Sequence, residues 1–205
     1  MMLTMLLDWL VTNRLEATAT LLGLINQWLT IRRNIYCWPV GIASVLLFGA
    51  VFFDARLYSD ALLQGVYVGL QAYGWYAWLR GGPGQSPLPI RRLPAIDYWR
   101  VPLLIVVVAA TLGSIMRFAT DASLPYLDAS ATALSLVAQW LQARKVLEAW
   151  LIFVAGNLLF IGIYAAKGLY ITIGLFVVLT VMAILGYLSW RTAYRAGAPA
   201  SPRSA

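Results

Sequence analysis

LEATATLLGLINQWLTIRR (Leu15–Arg33) and LDASATALSLVAQWLQARK (Leu127–Lys145) lie 112 residues apart and align without a gap. The register holds well beyond them. Trp38 falls on Trp150, LLF at 46–48 on LLF at 158–160, LY at 57–58 on LY at 169–170, Gly74 on Gly186 and Trp78 on Trp190. About twenty of the 64 positions from 15 to 78 are identical, where chance matching of apolar residues gives roughly a tenth. The chain therefore holds one structural unit twice.

Composition says what kind of unit. Of 205 residues, 61% are hydrophobic and 11% charged, and the mean hydropathy is +0.77. A soluble domain runs nearer half apolar and a quarter charged. Seven hydrophobic runs stand out, at roughly 16–31, 35–53, 58–79, 99–118, 128–143, 148–166 and 169–190, each with helical length. The reading is an all-α integral membrane protein with seven transmembrane helices. The first and fifth runs fall short of the roughly twenty residues that cross a bilayer core, which calls for little tilt or shielding by neighbours.

The duplication groups these runs as three helices, a linker helix, and three helices, a 3+1+3 plan. A triplet alone would invert its copy. The fourth helix turns the chain over once more, so the two repeats run parallel, as in the SWEET architecture, whose site lies between the halves. Helix four, RVPLLIVVVAATLGSIM, is almost free of polar residues and reads as a connector facing lipid or a neighbouring subunit. The segments are then 1–14, an interfacial stretch; 15–80, the first repeat; 81–97, a loop; 98–126, the linker helix and its following loop; 127–191, the second repeat; and 192–205, a tail. The opening MMLTMLLDWLVT is too short to span, and no basic residue precedes Arg14, so a cleaved signal is not expected. The Pro- and Gly-rich loop GGPGQSPLPIRRLPAID (81–97) reads as flexible.

Basic residues sort by side. Arg14, Arg56, Arg117 and Lys167 fall on one side, and the other eleven, among them Arg32, Arg33, Arg80, Arg91, Arg92, Arg144, Lys145 and Arg191, on the other. The positive-inside rule puts the N-terminus outside and the C-terminus in the cytoplasm. The net charge of +7 is thus topological, and no nucleic-acid partner is expected. The chain has no histidine and one cysteine, Cys37. That excludes His-based triads, His metal sites and an internal disulfide. GGPGQS lacks the Lys and terminal Ser/Thr of a P-loop. No catalytic residue, metal or cofactor is expected, and the chain does not read as an enzyme.

Polar residues inside the apolar runs need a purpose. Asp60, Gln64, Tyr67, Gln71, Trp75 and Trp78 are spaced by four, three, four, four and three, one face of helix three. Asp60 sits in the first turn, where an N-cap avoids the cost of a central carboxylate. Buried amides at Gln64 and Gln71 need partners, either from neighbouring helices or from a ligand. In the repeat, Gln64 maps to Phe176, Tyr67 to Leu179 and Gln71 to Ala183, while Asn157 maps to Val45 and Tyr164 to Phe52. Polar groups present in one half only suit an asymmetric ligand. Trp150, Asn157 and Tyr164, spaced by seven, share a face of helix six. Matched residues read as scaffold: Gln27 with Gln139, and Gly74 with Gly186 at close helix approaches. Lys167-Gly168 reads as a tight turn capping helix six. The spans hold no central Lys or Arg, which a phosphate or carboxylate would require. Amides, phenols and indoles suit a neutral or cationic ring bearing hydroxyls, and a desolvated cation over an indole gains up to about 2 kcal/mol.

YCWPVG (36–41), LYSDALLQGVYVGLQAYGWYAW (57–78), EAWLIFVAGNLLFIGIYAAKGLY (148–170) and GYLSW (186–190) resemble the nicotinamide riboside transporters of the PnuC family, over roughly residues 20–192. The resemblance implies a SWEET-like fold and a homotrimer in the bacterial inner membrane. It implies import of nicotinamide riboside, an NAD precursor, by facilitated diffusion with alternating access, and trapping by a cytoplasmic nicotinamide riboside kinase. Carried across residue by residue, it nominates Gln64, Tyr67, Gln71, Trp150, Asn157 and Tyr164 as substrate-binding, with Trp38 and Trp75 behind them. The alternatives on the same fold are a thiamine or riboflavin carrier, or a sugar transporter.

Overall fold

A computed structural model describes residues 14–119 and 124–197. Seven α-helices account for nearly all of them: α1 (Arg14–Ile31), α2 (Cys37–Asp54), α3 (Tyr58–Arg80), α4 (Asp97–Ala119), α5 (Pro125–Ala143), α6 (Ala149–Ala166) and α7 (Tyr170–Arg195). They coincide with the seven hydrophobic runs, with ends moved by a few residues. Among the described residues, α2, α4 as far as Phe118, α6 and α7 are long and apolar enough to cross a membrane. The interfacial segment proposed for 1–14 lies almost wholly outside the described residues, as does the tail beyond 197.

The tight turns share one construction. After α1, the Asn34 N–H bonds to Leu29 O and the Arg33 N–H to Thr30 O. The same pair of bonds closes α2 at Leu57 and Arg56, α5 at Val146 and Lys145, and α6 at Leu169 and Gly168. Each is a Schellman turn, with the residue past the helix end in the left-handed region: Arg33 (φ 59°), Arg56 (φ 60°), Lys145 (φ 51°) and Gly168 (φ 71°). Only the last is glycine, so the other three turns hold a conformation that disfavours a Cβ.

Packing repeats at the 112-residue offset. In each triplet the middle helix packs on both others, and α1 meets α7 as α5 meets α3. Trp38 stands edge-on to Trp78 at 5.2 Å and 86°, and Trp150 to Trp190 at 5.3 Å and 86°. The Trp78 Nε1–H donates to Gln142 O at 3.3 Å, and the Trp190 Nε1–H to Thr30 O at 3.1 Å. Trp78 and Trp190 then meet each other at 5.8 Å. These four indoles, all nearly fully buried, form the heart of the core. One pair of swaps is instructive. Ser44 on α2 donates to Ala19 O on α1 at 2.7 Å, facing Gly23. In the second half the serine has moved to α5, where Ser135 donates to the matching Ala131 O at 3.0 Å, and the glycine, Gly156, is on α6. One carbonyl is satisfied from either helix because the partner gives up its side chain.

The halves differ in cover. α4 packs along α5, so Ala129, Ala133, Val137 and Leu141 are buried. Of their counterparts on α1, Leu21 and Ile25 remain exposed.

The loop expected to be flexible is pinned. Arg91 pairs in parallel with Val146: its N–H donates to Lys145 O at 3.0 Å, and its carbonyl accepts from the Leu147 N–H at 2.9 Å. Glu148, 7% exposed, accepts from Arg92 Nε at 2.9 Å, the Leu93 N–H at 2.9 Å and the Tyr98 hydroxyl at 3.2 Å. Pro and Gly content shows where the chain leaves helix, but backbone groups in an irregular segment still seek partners, and the α5–α6 turn offers them. Glu148→Ala leaves the Leu93 N–H unpaired, at a cost of about 1–3 kcal/mol. Trypsin should then cut at Arg91 or Arg92 about tenfold faster than in the wild type, since cleavage follows local opening. Equal rates would mean the loop was never held.

Lys145 closes the same junction. It is 3% exposed, its Nζ donates to Leu88 O at 2.8 Å and lies 4.4 Å from the Trp78 ring centre. Burial, reinforced by the nearby Arg33 charge, pulls its pKa down to about 8 from 10.5. The folded protein thus releases this proton at lower pH than the unfolded chain. Stability is lowest below pH 8 and rises as pH climbs from 8 to 10.5, by up to about 3 kcal/mol. Lys145→Met should flatten the melting temperature over that interval; an unchanged slope would assign the titration elsewhere.

Candidate functional site

α1, α3, α5 and α7 all end at one face of the bundle. The indole bonds to Thr30 and Gln142, and the Ser189 bond to Ile31 O at 3.3 Å, tie those ends together. This is the face with ten of the eleven basic residues assigned to one side, Arg203 lying outside the described residues. At the opposite face Lys167 Nζ pairs with Asp128 at 3.3 Å. Lys167 ends α6 by its backbone N–H, while its side chain bridges to α5. Asp60 does not cap α3: the cap position is Leu57, with no side-chain bond to the helix. The helix starts at Tyr58, as the hydrophobic run does, and Asp60 lies exposed within its first turn rather than at the cap position.

The nominated residues divide into four groups. Gln71 is buried, at 4%, and its amide rests against Gly41, where any Cβ would collide with it. In the second repeat these positions are Ala183 and Phe153, so bulk has changed sides. The Gln71 Oε1 is buried with no protein partner. Gln64 is half-buried, its stem packed over Gly49. Tyr67 reaches across to Ser135 on α5, joining the first repeat to the second. Asn157 is buried on α6 at 8%.

Tyr164 belongs to a ring cluster, 5.9 Å from Phe160 and 5.3 Å from Phe176. Phe176 is the counterpart of Gln64. Trp38 and Trp150 are core residues of the indole group, yet both Nε1–H groups are buried without partners. Each ring lies on a matched glycine, Trp38 on Gly74 and Trp150 on Gly186. Trp75 turns outward, 39% exposed. Counting in threes and fours kept it on the stripe, but Gln71, Gly74 and Trp78 define the buried line and Trp75 falls beside it. Two buried polar groups at the basic end were missed from sequence: Gln142 Nε2 and Arg33 Nε are also buried and unpartnered.

Two indole donors and one amide acceptor, all neutral and matched to nothing in the protein, are unusual in a buried interior, where over nine in ten polar groups are paired. No central Lys or Arg accompanies them in the described helices. The model for the family described as Nicotinamide mononucleotide transporter matches residues 13–192. The chain belongs to that family.

The relatives differ in the cargo their names give. The Nicotinamide riboside transporter PnuC of Escherichia coli (strain K12) is 29% identical over 201 residues, covering 86% of this chain and 84% of that protein. The Riboflavin/roseoflavin transporter RibM of Streptomyces davaonensis is 27% identical over 179 residues, covering 85% and 83%. The crystal structure of the Vitamin B3 transporter PnuC superposes with a TM-score of 0.73 at 22% identity, covering 95% of this chain and 88% of that one. That likeness fixes the fold. Members of the family are membrane transporters by name, so the apolar helices are those of a multi-pass membrane protein.

Proposed function

We propose that this protein carries nicotinamide riboside across the bacterial inner membrane by facilitated diffusion. The two triplets act as parallel repeats in a 3+1+3, SWEET-like plan and rock about a site at mid-membrane. Gln64, Tyr67, Gln71, Asn157 and Tyr164 would contact the riboside, with Trp38 and Trp150 offering indole N–H groups and ring faces. The N-terminus lies outside, and the basic end faces the cytoplasm, where a kinase traps the product by phosphorylation. A homotrimer would cover the bare face of α1 that α4 covers on α5.

The carrying observation is the set of unpaired neutral groups, Gln71 Oε1 with the Trp38 and Trp150 indole N–H groups, with no central Lys or Arg in the described helices; the buried Lys145 sits in the turn at the basic end, its Nζ held by Leu88 O. A riboside offers hydroxyls and a carboxamide to such groups, and its cationic ring suits indole faces. A phosphate would be left without a partner. Calorimetric titration of the purified protein with nicotinamide riboside, thiamine and riboflavin tests the reading. Saturable binding of the first alone supports it; tighter binding of riboflavin moves the chain to the cargo named for its Streptomyces relative.

A further inference from the structure

A second polar site lies outside the transport path, where the pinned loop meets α4 and α5. A cavity of about 170 Å³ there is lined by Arg91, Arg100 and Arg144, with Asp97 and an apolar wall that includes Leu104 and Trp140. Three guanidinium groups share the space with one carboxylate. Asp97 sits 3.8 Å from Arg100 and offsets at most one charge. Arg91 Nε donates to Arg144 O at 3.3 Å, which holds those two cations side by side. Partial burial first, and the like charge of Arg144 second, keep the Arg91 pKa below its usual value. The cluster is short of anions.

Its depth says which anion. Trp99 and Tyr98 are exposed on the first turn of α4, with the Arg100 guanidinium 5.7 Å from the Trp99 ring centre. The Arg144 guanidinium lies 4.7 Å from that of Trp140. Exposed aromatic residues beside arginines mark the headgroup level of a membrane. Leu104 in the cavity wall is itself exposed, and so is Val107 less than a turn further along α4, as an acyl-chain contact requires. A soluble anion would use the guanidinium groups and leave that wall idle.

We propose that the Arg91–Arg100–Arg144 pocket binds the phosphodiester headgroup of an anionic phospholipid, with an acyl chain laid along α4. Basic pockets between helices at the cytoplasmic level are suited to such headgroups. The bound lipid would join three parts of the chain that must keep their places while the repeats move: the loop, the connector helix and the α5–α6 turn.

The test uses the purified full chain in detergent, with added phosphatidylglycerol or phosphatidylcholine, read by native mass spectrometry and thermal unfolding. Phosphatidylglycerol should be retained about tenfold better than phosphatidylcholine and should raise the melting temperature. The double variant R100Q/R144Q should lose that preference while melting like the wild type in phosphatidylcholine. Inorganic phosphate should produce no shift. Equal retention of the two lipids by the wild type overturns the proposal whether or not the variant folds. A full preference in the double variant also overturns it. A saturating shift with inorganic phosphate alone would make this a site for soluble anions and sink the lipid assignment.

Discussion

Replacing Gly186 by leucine should abolish most of the folded protein recovered in mild detergent. The Gly186 Cα lies against the Trp150 ring, and a Cβ built there would sit inside van der Waals contact with three of its carbons. Trp150 is fully buried and has Trp190 edge-on at 5.3 Å, so it has nowhere to go. Overpacking a rigid core costs about 3 kcal/mol or more when neighbours cannot shift, a large part of a typical stability of about 5–15 kcal/mol. Gly74→Leu should do the same through Trp38. Gly69→Ala is the control. Nothing lies within 4 Å of its Cβ, and alanine in a helix is about 0.5–1 kcal/mol better than glycine. Size-exclusion recovery and melting temperature decide the matter. A well-folded Gly186→Leu protein would mean that the four-indole core is not packed as described.

Gln71→Leu should separate function from folding. Its Oε1 is buried and unpartnered, so wild-type stability already bears the cost of a desolvated acceptor, about 1–3 kcal/mol. Leucine of similar bulk removes that cost and fills the space left by Gly41. The variant should melt at or above the wild-type temperature. If the oxygen accepts a hydrogen bond from substrate, affinity should fall by about tenfold or more, since a lost hydrogen bond of about 1.4 kcal/mol is one decade. Glue between helices predicts the reverse pattern, a lower melting temperature with unchanged affinity. Asn157→Leu and Gln64→Leu, measured alongside, show whether the other amides belong to the same site.

The fold was legible because duplication leaves two readings of each position. Gly74 and Gly186 match in sequence, and both turn out to receive a tryptophan. Arg33 and Lys145 match, and both hold the left-handed residue of a Schellman turn. What could not be read was anything made by one half alone. The loop at 81–97 has no counterpart, and its Pro and Gly residues gave no hint that Glu148, whose counterpart is Tyr36, would hold it. Asp60 was placed correctly in the first turn but read as a cap, because a first-turn carboxylate looks the same in sequence whether or not it caps. Trp75 was included because helical spacing fixes a stripe only to about one residue in width. That Trp38 and Trp150 lie in the buried core could not be read either, since only packing shows what a tryptophan ring faces.

The measurement that bears most directly on the uncharged interior is uptake into proteoliposomes of nicotinamide riboside and of nicotinamide mononucleotide, each at matched concentration with no imposed gradient. The account predicts saturable entry of the riboside, equilibrating without accumulation, and entry of the mononucleotide slower by about a hundredfold or more, the penalty for desolvating a phosphate without a cationic partner being several kcal/mol. Comparable rates for both compounds would contradict it.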